Sequence, residues 1–277
     1  MRRGCPVGWW RRQTERVPEG DTLFKTAVRL KPALAGHLLT RFEAPRLVGD
    51  RPRLGTRIED VEARGKHLLV HFADGLSLRT HLRMTGSWHV YREGERWQKG
   101  AHLARAVVGA DSGWVAVCFQ APVVETYHRA LGEPEALASL GPDLCLAESL
   151  QDEVLDAVLE RAAALTGPGT TLGEALLDQR IAAGIGNVYK SEACWAERID
   201  PGTPLADVDP ADRRRVWATA ARQLQANLGH AERRTHPAGL AVYGRRGQPC
   251  RRCGAPIRMT RHGDQARSTY WCPTCQP

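Results

Sequence analysis

The stretch PCRRCGAPIRMTRHGDQARSTYWCPTCQ, residues 249–276, decides how the C-terminal part of this chain folds. It holds two Cys-x2-Cys pairs, Cys250 with Cys253 and Cys272 with Cys275, and 18 residues separate the pairs. Four thiolates at this spacing are typical of tetrahedral Zn²⁺, and a site with four protein ligands has no open position for catalysis. Two unrelated thiol pairs, or a redox pair, are the alternatives. We therefore predict one structural zinc ion that supplies the folding energy of a small hairpin.

Basic side chains lie between the two cysteine pairs: Arg258, Arg261, His262 and Arg267. Guanidinium groups on a metal-stapled hairpin suit phosphate contact, because they present a planar fork of donors to the phosphate oxygens. A solvated basic loop is the alternative interpretation.

Helical patterns precede the hairpin from about residue 132. A short helix is predicted over 172–179, and the glycine-rich turn at 183–186 leads into a helix that begins at Asn187. A helix N-terminus presents free N–H groups and the positive end of the helix dipole, so it is an anion site. Asn187 can contact a phosphate there. A tight turn between helices, with Asn187 as its cap, explains the same residues.

Short segments rich in β-branched and aromatic residues occupy the N-terminal half. We predict strands over 57–63, 66–72, 76–82, 87–92, 104–109 and 114–119, joined by turns such as Asp74-Gly75. This pattern predicts an antiparallel sandwich or barrel. Asp21 and Thr22 begin a helical pattern over 21–38, which Pro32 breaks or kinks; two shorter helices are equally compatible.

Composition sets the class of protein. The chain has 277 residues, 42% hydrophobic and 25% charged, as in ordinary globular proteins of two domains. The net charge is +8, and five arginines and one glutamate in residues 1–16 supply half of it. A net positive charge favours a polyanionic binding partner but does not by itself identify one. No apolar run is long enough to span a membrane. Cys5, Cys118, Cys145 and Cys194 are scattered, which indicates free thiols in a reducing compartment.

Four motifs occur in order along the chain: Pro18-Glu19-Gly20-Asp21-Thr22, Arg64-Gly65-Lys66-His67, residues 176–187, and the cysteine-rich end from Arg267 to Gln276. Together they resemble the formamidopyrimidine-DNA glycosylase and endonuclease VIII family, and the first and last look most like its actinobacterial endonuclease VIII members. The resemblance covers residues 18–276.

The resemblance implies an α+β fold with a catalytic β-sandwich at 18–131, a helix-two-turn-helix domain at 132–240 and a zinc β-hairpin at 241–277. It implies a DNA glycosylase and abasic-site lyase of base excision repair that acts on damaged double-stranded DNA. Such an enzyme removes oxidised pyrimidines and cleaves the strand by β,δ-elimination. We expect a monomer in the bacterial cytoplasm, associated with the nucleoid, with no redox or nucleotide cofactor and no membrane partner.

The resemblance also assigns roles. Pro18 matches the nucleophile, Glu19 the acid that protonates the sugar ring oxygen, Lys66 a phosphate contact that aids the first elimination, and Arg267 the phosphate contact assigned to the second elimination. Asn187 matches an asparagine that holds a backbone phosphate. Met84, with Arg83, falls in the loop that fills the space left by the flipped base; a core methionine is the alternative. From the residues alone, Glu19 could be a helix-start carboxylate and Lys66 a strand-edge charge.

Two positions depart from the family pattern. The family often has glutamate where this chain has Thr22, so the identity of a secondary acid stays open, with Asp21 as one candidate. Pro18 is internal in the sequence as written, and an amide nitrogen cannot form an iminium because its lone pair is delocalised. We expect residues 1–17 to be a leader absent from the mature protein, either because Val17 is a GTG start codon or through trimming. A lesion-binding protein without lyase activity, or a zinc-ribbon nucleic-acid binder, are the alternatives.

Overall fold

The computed structural model describes residues 17–262 and 267–277, so residues 1–16 of the expected leader, Cys5 among them, lie outside the described residues. The helices are α1 (Gly20–Leu34), α2 (Glu135–Ala138), α3 (Asp152–Leu165), α4 (Leu172–Leu177), α5 (Asn187–Glu197) and α6 (Pro210–Ala226). The strands are β1 (Leu39–Glu43), β2 (Ile58–Arg64), β3 (His67–Phe72), β4 (Leu76–His81), β5 (Ser87–Arg92), β6 (Ala104–Ala110), β7 (Trp114–Phe119), β8 (Val123–His128), β9 (Arg258–His262) and β10 (Arg267–Trp271).

Two four-stranded antiparallel sheets form the N-terminal sandwich. Their strand orders are β1-β6-β7-β5 and β2-β3-β4-β8. The inward side chains of both sheets form one core with the apolar face of α1, including Leu23, Leu30 and Leu34. Since successive side chains of a strand point to opposite faces, this packing fixes the register of each strand. The sandwich is the predicted one.

Helices α3 to α6 share a second core, which contains Tyr189 of α5 and Trp217 of α6. Local caps define where these helices begin. Thr171 and Glu174 form a capping box at α4, and the Asp209 carboxylate accepts the Ala211 N–H at the start of α6. Each cap satisfies backbone N–H groups that have no partner within the helix.

A third, small core joins α5 to the hairpin of β9 and β10. It contains Trp195 of α5, the loop residues Ala241 and Val242, and the cysteines Cys250 and Cys272. The hairpin is therefore anchored on α5, whose other faces belong to the helical core. This arrangement makes α5 the element that links the helical domain to the hairpin.

The six strands predicted from sequence agree with β2 to β7 to within two residues, whereas β1 and β8 were not predicted. The helix predicted over 21–38 is one helix that ends at Leu34 and contains Pro32. Pro32 removes the N–H that would bond the Val28 carbonyl, but Val28 is 56% exposed, so water can satisfy that carbonyl. No helix in the described part of the chain is long and apolar enough to cross a membrane.

Candidate active site

Glu19 is a fully buried carboxylate at the junction of the sandwich and the helical domain. Its oxygens accept the backbone N–H groups of Gly186 at 3.0 Å, Val188 at 2.8 Å and Tyr189 at 3.4 Å. Glu19 precedes α1 but caps the N-terminus of α5, where the helix dipole favours negative charge. Glu19 is thus a helix-start carboxylate, but its side chain caps α5 and makes no cap bond to α1, the helix that it precedes. Pro18, its neighbour, is buried at the same junction.

Glycines make this junction possible. A Cβ on Gly186 would lie 2.3 Å from Glu19 Cδ, and a Cβ on Gly20 would lie 2.8 Å from Gly184 Cα. The Gly20 N–H also donates to the Gly184 carbonyl at 2.9 Å. This close backbone approach at the 183–186 turn brings the segment with Pro18 and Glu19 onto the start of α5.

Lys66 lies in the turn between β2 and β3 and is 9% exposed. Gly65, with φ of +56°, lets this turn reach the helical domain, where its N–H donates to Asp143 Oδ2 at 2.6 Å. Burial lowers the pKa of Lys66 to about 8; the nearby Glu19 opposes this, and Arg267 and Arg233 add to it. Lys66 is thus an amine that can exchange its proton near neutral pH, close to Glu19.

Arg267 and Asn187 approach the same region from the hairpin and from α5. Arg267 begins β10 and is partly buried; burial lowers its pKa, as does the charge of Arg83, while Glu19 opposes the shift. Asn187 is the first residue of α5 and is partly exposed, with Oδ1 3.5 Å from Lys190 Nζ. The charged residues predicted from separate parts of the sequence therefore converge on Glu19.

Arg83 and Met84 lie in the loop between β4 and β5. Met84 is 61% exposed, so it is not a core methionine. Arg83 adopts φ of +46°, and its N–H donates to His81 Nδ1 at 3.1 Å. Exposure of a large apolar side chain beside a basic one suits insertion into a base stack.

Two histidines beside Lys66 were not predicted from the sequence. The rings of His67 and His81 lie 4.8 Å apart, and Arg79 Nη1 donates to His67 Nδ1 at 3.0 Å. Burial lowers the pKa of His67 to about 3 and that of His81 to about 4, and neighbouring cations add to both shifts. Both rings are therefore neutral at pH 7. The signal in the sequence is their position: they lie near opposite ends of two strands joined by the Asp74-Gly75 turn, where antiparallel register pairs His67 with His81.

Asp21, the candidate secondary acid, is buried and bonded to two cations. Arg233 donates to its carboxylate from Nη2 at 2.5 Å and Nε at 3.2 Å, and Lys25 Nζ lies at 3.0 Å. Burial acts to raise the pKa of Asp21, but Arg233 and Lys25 outweigh it and the pKa is lowered. Arg233 also donates to Thr22 Oγ1 at 3.0 Å. Asp21 and Thr22 thus form a structural ion-pair cluster with the loop that follows α6.

The four C-terminal cysteines form a candidate metal centre. The Sγ atoms of Cys250, Cys253, Cys272 and Cys275 all lie within 4.8 Å of one another. Zn–S bonds of about 2.3 Å in a tetrahedron place the sulfurs about 3.8 Å apart, so the donor set fits Zn²⁺. The Trp195 indole N–H and the Arg252 N–H each donate to Cys250 Sγ at 3.4 Å. A closed set of four thiolates is the donor set of a structural zinc site. Cys118, Cys145 and Cys194 are buried free thiols, as expected.

Comparisons with known families match all three parts of the chain. The formamidopyrimidine-DNA glycosylase N-terminal domain matches residues 7–119, the H2TH domain of the same glycosylases matches 140–236, and the zinc finger found in FPG and IleRS matches 247–277.

Similar proteins cover nearly the full length. A probable endonuclease 8 2 of Streptomyces coelicolor is 44% identical, over 94% of each chain. The DNA-(apurinic or apyrimidinic site) lyase Nei2 of Mycolicibacterium smegmatis is 37% identical, over 94% of this chain and 99% of the relative. The MutM (FPG) structure from Thermus thermophilus is 28% identical with a TM-score of 0.74, over 94% of this chain and 98% of that one. A Lactococcus lactis glycosylase bound to abasic-site DNA shares the fold, with a TM-score of 0.77 at 20% identity, over 93% of this chain and 99% of that one.

Proposed function

The chain belongs to the formamidopyrimidine-DNA glycosylase and endonuclease VIII family, and we propose that it removes oxidised pyrimidines with Pro18 as nucleophile and cleaves the strand by β,δ-elimination. It is a DNA glycosylase and abasic-site lyase of base excision repair that binds DNA. The lesion class, the residue roles and the order of eliminations are the proposed part.

One observation carries the proposal. The Glu19 carboxylate, fixed by three backbone N–H groups of the α5 start, holds its neighbour Pro18 where Lys66 and Arg267 converge. A nucleophile with a positioned acid and two nearby cations is the arrangement that covalent amine catalysis on a phosphodiester substrate needs.

The first steps use the amine and the acid. The secondary amine of Pro18 attacks the sugar C1′, and the damaged base leaves and takes a proton from water. The Glu19 carboxylate accepts the N–H proton that the amine loses and passes it to the ring oxygen, whose bond to C1′ breaks as the iminium forms. The product is an iminium that acidifies the C2′ proton, so loss of that proton expels the 3′ phosphate. A second elimination expels the 5′ phosphate, and hydrolysis then frees the amine.

The cations act on the phosphates. Lys66, with its pKa lowered to about 8, contacts the leaving phosphate and can give or take a proton during the first elimination. Arg267 binds phosphate through its guanidinium fork and serves the second elimination, and Asn187 holds a neighbouring phosphate. Arg83 and Met84 fill the stack from which the nucleotide is rotated. No step passes through the zinc ion, which holds the hairpin that carries Arg267.

This chemistry requires the Pro18 nitrogen to be a free secondary amine, since an amide cannot form the iminium. We propose that the active form begins at Pro18, produced by initiation at Val17 with removal of the initiator methionine or by trimming. An amine of this kind has a pKa of about 8, so part of it is neutral and nucleophilic at pH 7.

The relatives favour oxidised pyrimidines, because endonuclease 8 proteins reach 44% identity, compared with 35% for the formamidopyrimidine-DNA glycosylase of Methylococcus capsulatus. We propose a monomer with the predicted domain division at 18–131, 132–240 and 241–277. Its substrate places it at the nucleoid of the bacterial cytoplasm.

Strand scission across a lesion panel tests the proposal. Protein that begins at Pro18 and the full 277-residue chain are each incubated with duplexes carrying thymine glycol, 5-hydroxycytosine, 8-oxoguanine or an abasic site. We expect scission by the Pro18 form alone, fastest on the pyrimidine lesions, with phosphate at both ends of the gap. Equal scission by both forms contradicts the requirement for a free Pro18 amine, and faster scission at 8-oxoguanine contradicts the lesion class.

A further inference from the structure

Lys190 is a buried cation that the proposed mechanism does not use. It lies on α5, one turn after Asn187, and is 1% exposed. Its ammonium donates to Thr269 Oγ1 at 2.6 Å and to the Ser268 carbonyl at 3.3 Å, and it lies 3.5 Å from Asn187 Oδ1. All three acceptors are neutral, and no carboxylate of the described residues forms an ion pair with it. A buried charge is costly, so a lysine kept here without a counter-ion needs a reason.

The partners of Lys190 lie on the strand that carries Arg267. Residues i and i+2 of a strand point to the same face, so Arg267 and Thr269 share the face of β10 that looks toward α5. A second hydrogen bond joins β10 to α5, because the Tyr270 N–H donates to Ser191 Oγ at 3.3 Å. The zinc cysteines hold the opposite end of the hairpin, so Lys190 fixes the end where Arg267 begins the strand.

The other contact of Lys190 runs toward the second phosphate-binding side chain. Asn187 and Lys190 are three residues apart and therefore lie on one face of α5. Lys190 thus lies between Asn187 on its own helix and Arg267 on the hairpin. Burial lowers the pKa of Lys190 to about 8; Glu19 opposes this shift and Arg267 adds to it.

We propose that Lys190 is a positioning residue that fixes Arg267 and Asn187 relative to one another, so that each can contact a DNA phosphate. The inference rests on the proposed function, because it takes from it the phosphate roles of Arg267 and Asn187. It adds that the second elimination depends on a side chain that never contacts the DNA.

A double-mutant cycle tests this inference. Lys190→Met, Arg267→Gln and the double variant are compared for borohydride trapping and for the ratio of δ- to β-elimination products on abasic-site duplex. We expect Lys190→Met to lower that ratio about tenfold while trapping is retained, because a misplacement of about 1 Å can cost up to about 100-fold in rate. The double variant then falls no further than Arg267→Gln alone, since both changes remove one function.

Controls separate positioning from folding. Lys31→Met removes an equal charge at an exposed ion pair with Asp60, and it should match the wild type. Lys190→Arg keeps donors for both hairpin acceptors and should restore most of the ratio. Thr269→Val removes the hydroxyl that accepts the Lys190 hydrogen bond and should also lower the ratio of δ- to β-elimination products. This variant tests the contact even if Lys190→Met loses its zinc ion.

Three outcomes overturn the inference: losses that multiply in the double variant, a loss in Lys190→Met that is equal for trapping and both eliminations, or an unchanged ratio in Thr269→Val. Failure of the proposed function is distinct, because wild-type protein beginning at Pro18 then shows no trapping and no δ-product.

Discussion

Gly186→Ala should damage both stability and activity, because the position has no room for a methyl group. The added Cβ would lie 2.3 Å from Glu19 Cδ and 2.6 Å from Glu19 Oε1. Glu19 is fully buried and Gly186 itself donates to its carboxylate at 3.0 Å, so neither group can move without breaking that bond.

The magnitude follows from two effects of one displacement. Overpacking a filled site costs about 1–3 kcal/mol, and losing a hydrogen bond to a charged group costs about 1.5–3 kcal/mol. Because the same movement causes both, we expect unfolding free energy to fall by about 3 kcal/mol. Displacement of Glu19 also moves the adjacent Pro18, and such a shift should slow iminium formation by up to about 100-fold.

Urea denaturation and the rate of borohydride trapping measure the two effects. Gly169→Ala is the matched control, because no atom lies within 4 Å of its added Cβ. If Gly186→Ala matches Gly169→Ala in both assays, the role of the Glu19 cap in positioning the nucleophile is refuted.

Three further perturbations test other parts of the account. Asp21→Asn removes the counter-ion of buried Arg233 and should lower the free energy of unfolding, measured by urea denaturation at pH 7, by about 3–5 kcal/mol. Because the fold lowers the pKa of Asp21, the difference between wild type and variant should shrink as the pH falls below about 4, and a difference that does not change with pH contradicts the pairing. Lys66→Met removes the cost of burying a charged ammonium, which the wild type bears below the folded pKa of about 8. The free energy of unfolding of the wild type should therefore rise relative to this variant by about 3 kcal/mol between pH 8 and about pH 10.4, and a difference that does not change with pH argues against burial of the ammonium. Removal of zinc by a chelator should unfold the hairpin and abolish DNA binding while the circular dichroism of the sandwich persists; DNA affinity retained without metal opposes a structural role for it.

Local pattern was sufficient for six strands and failed for one edge strand of each sheet. Strands β2 to β7 alternate in hydrophobicity or are continuously apolar, and their bounds were predicted to within two residues. The two strands that were not predicted, β1 and β8, are both sheet edges. β1 has only five residues, of which two are charged, so its sequence carries little strand pattern. The strand character of β1 and β8 comes from pairing with β6 and β4, which lie far away in the sequence.

The residues of the site likewise differ in how far the sequence predicts them. Short local motifs, such as the cysteine pairs and the Pro18-Glu19 start, could be recognised from the sequence. Side chains whose role depends on distant partners were not: Lys190 bonds to a strand 79 residues away, and Arg233 bonds to Asp21 across 212 residues. The buried position of Glu19 at the start of α5 likewise follows only from the meeting of two domains.

Identification of the residue that is cross-linked to DNA shows whether Pro18 is the nucleophile. Protein that begins at Pro18 is reduced with borohydride on an abasic-site oligonucleotide, digested and sequenced by tandem mass spectrometry. We expect the sugar adduct on the nitrogen of Pro18. An adduct on Lys66 or any other lysine, or no adduct at all, contradicts it.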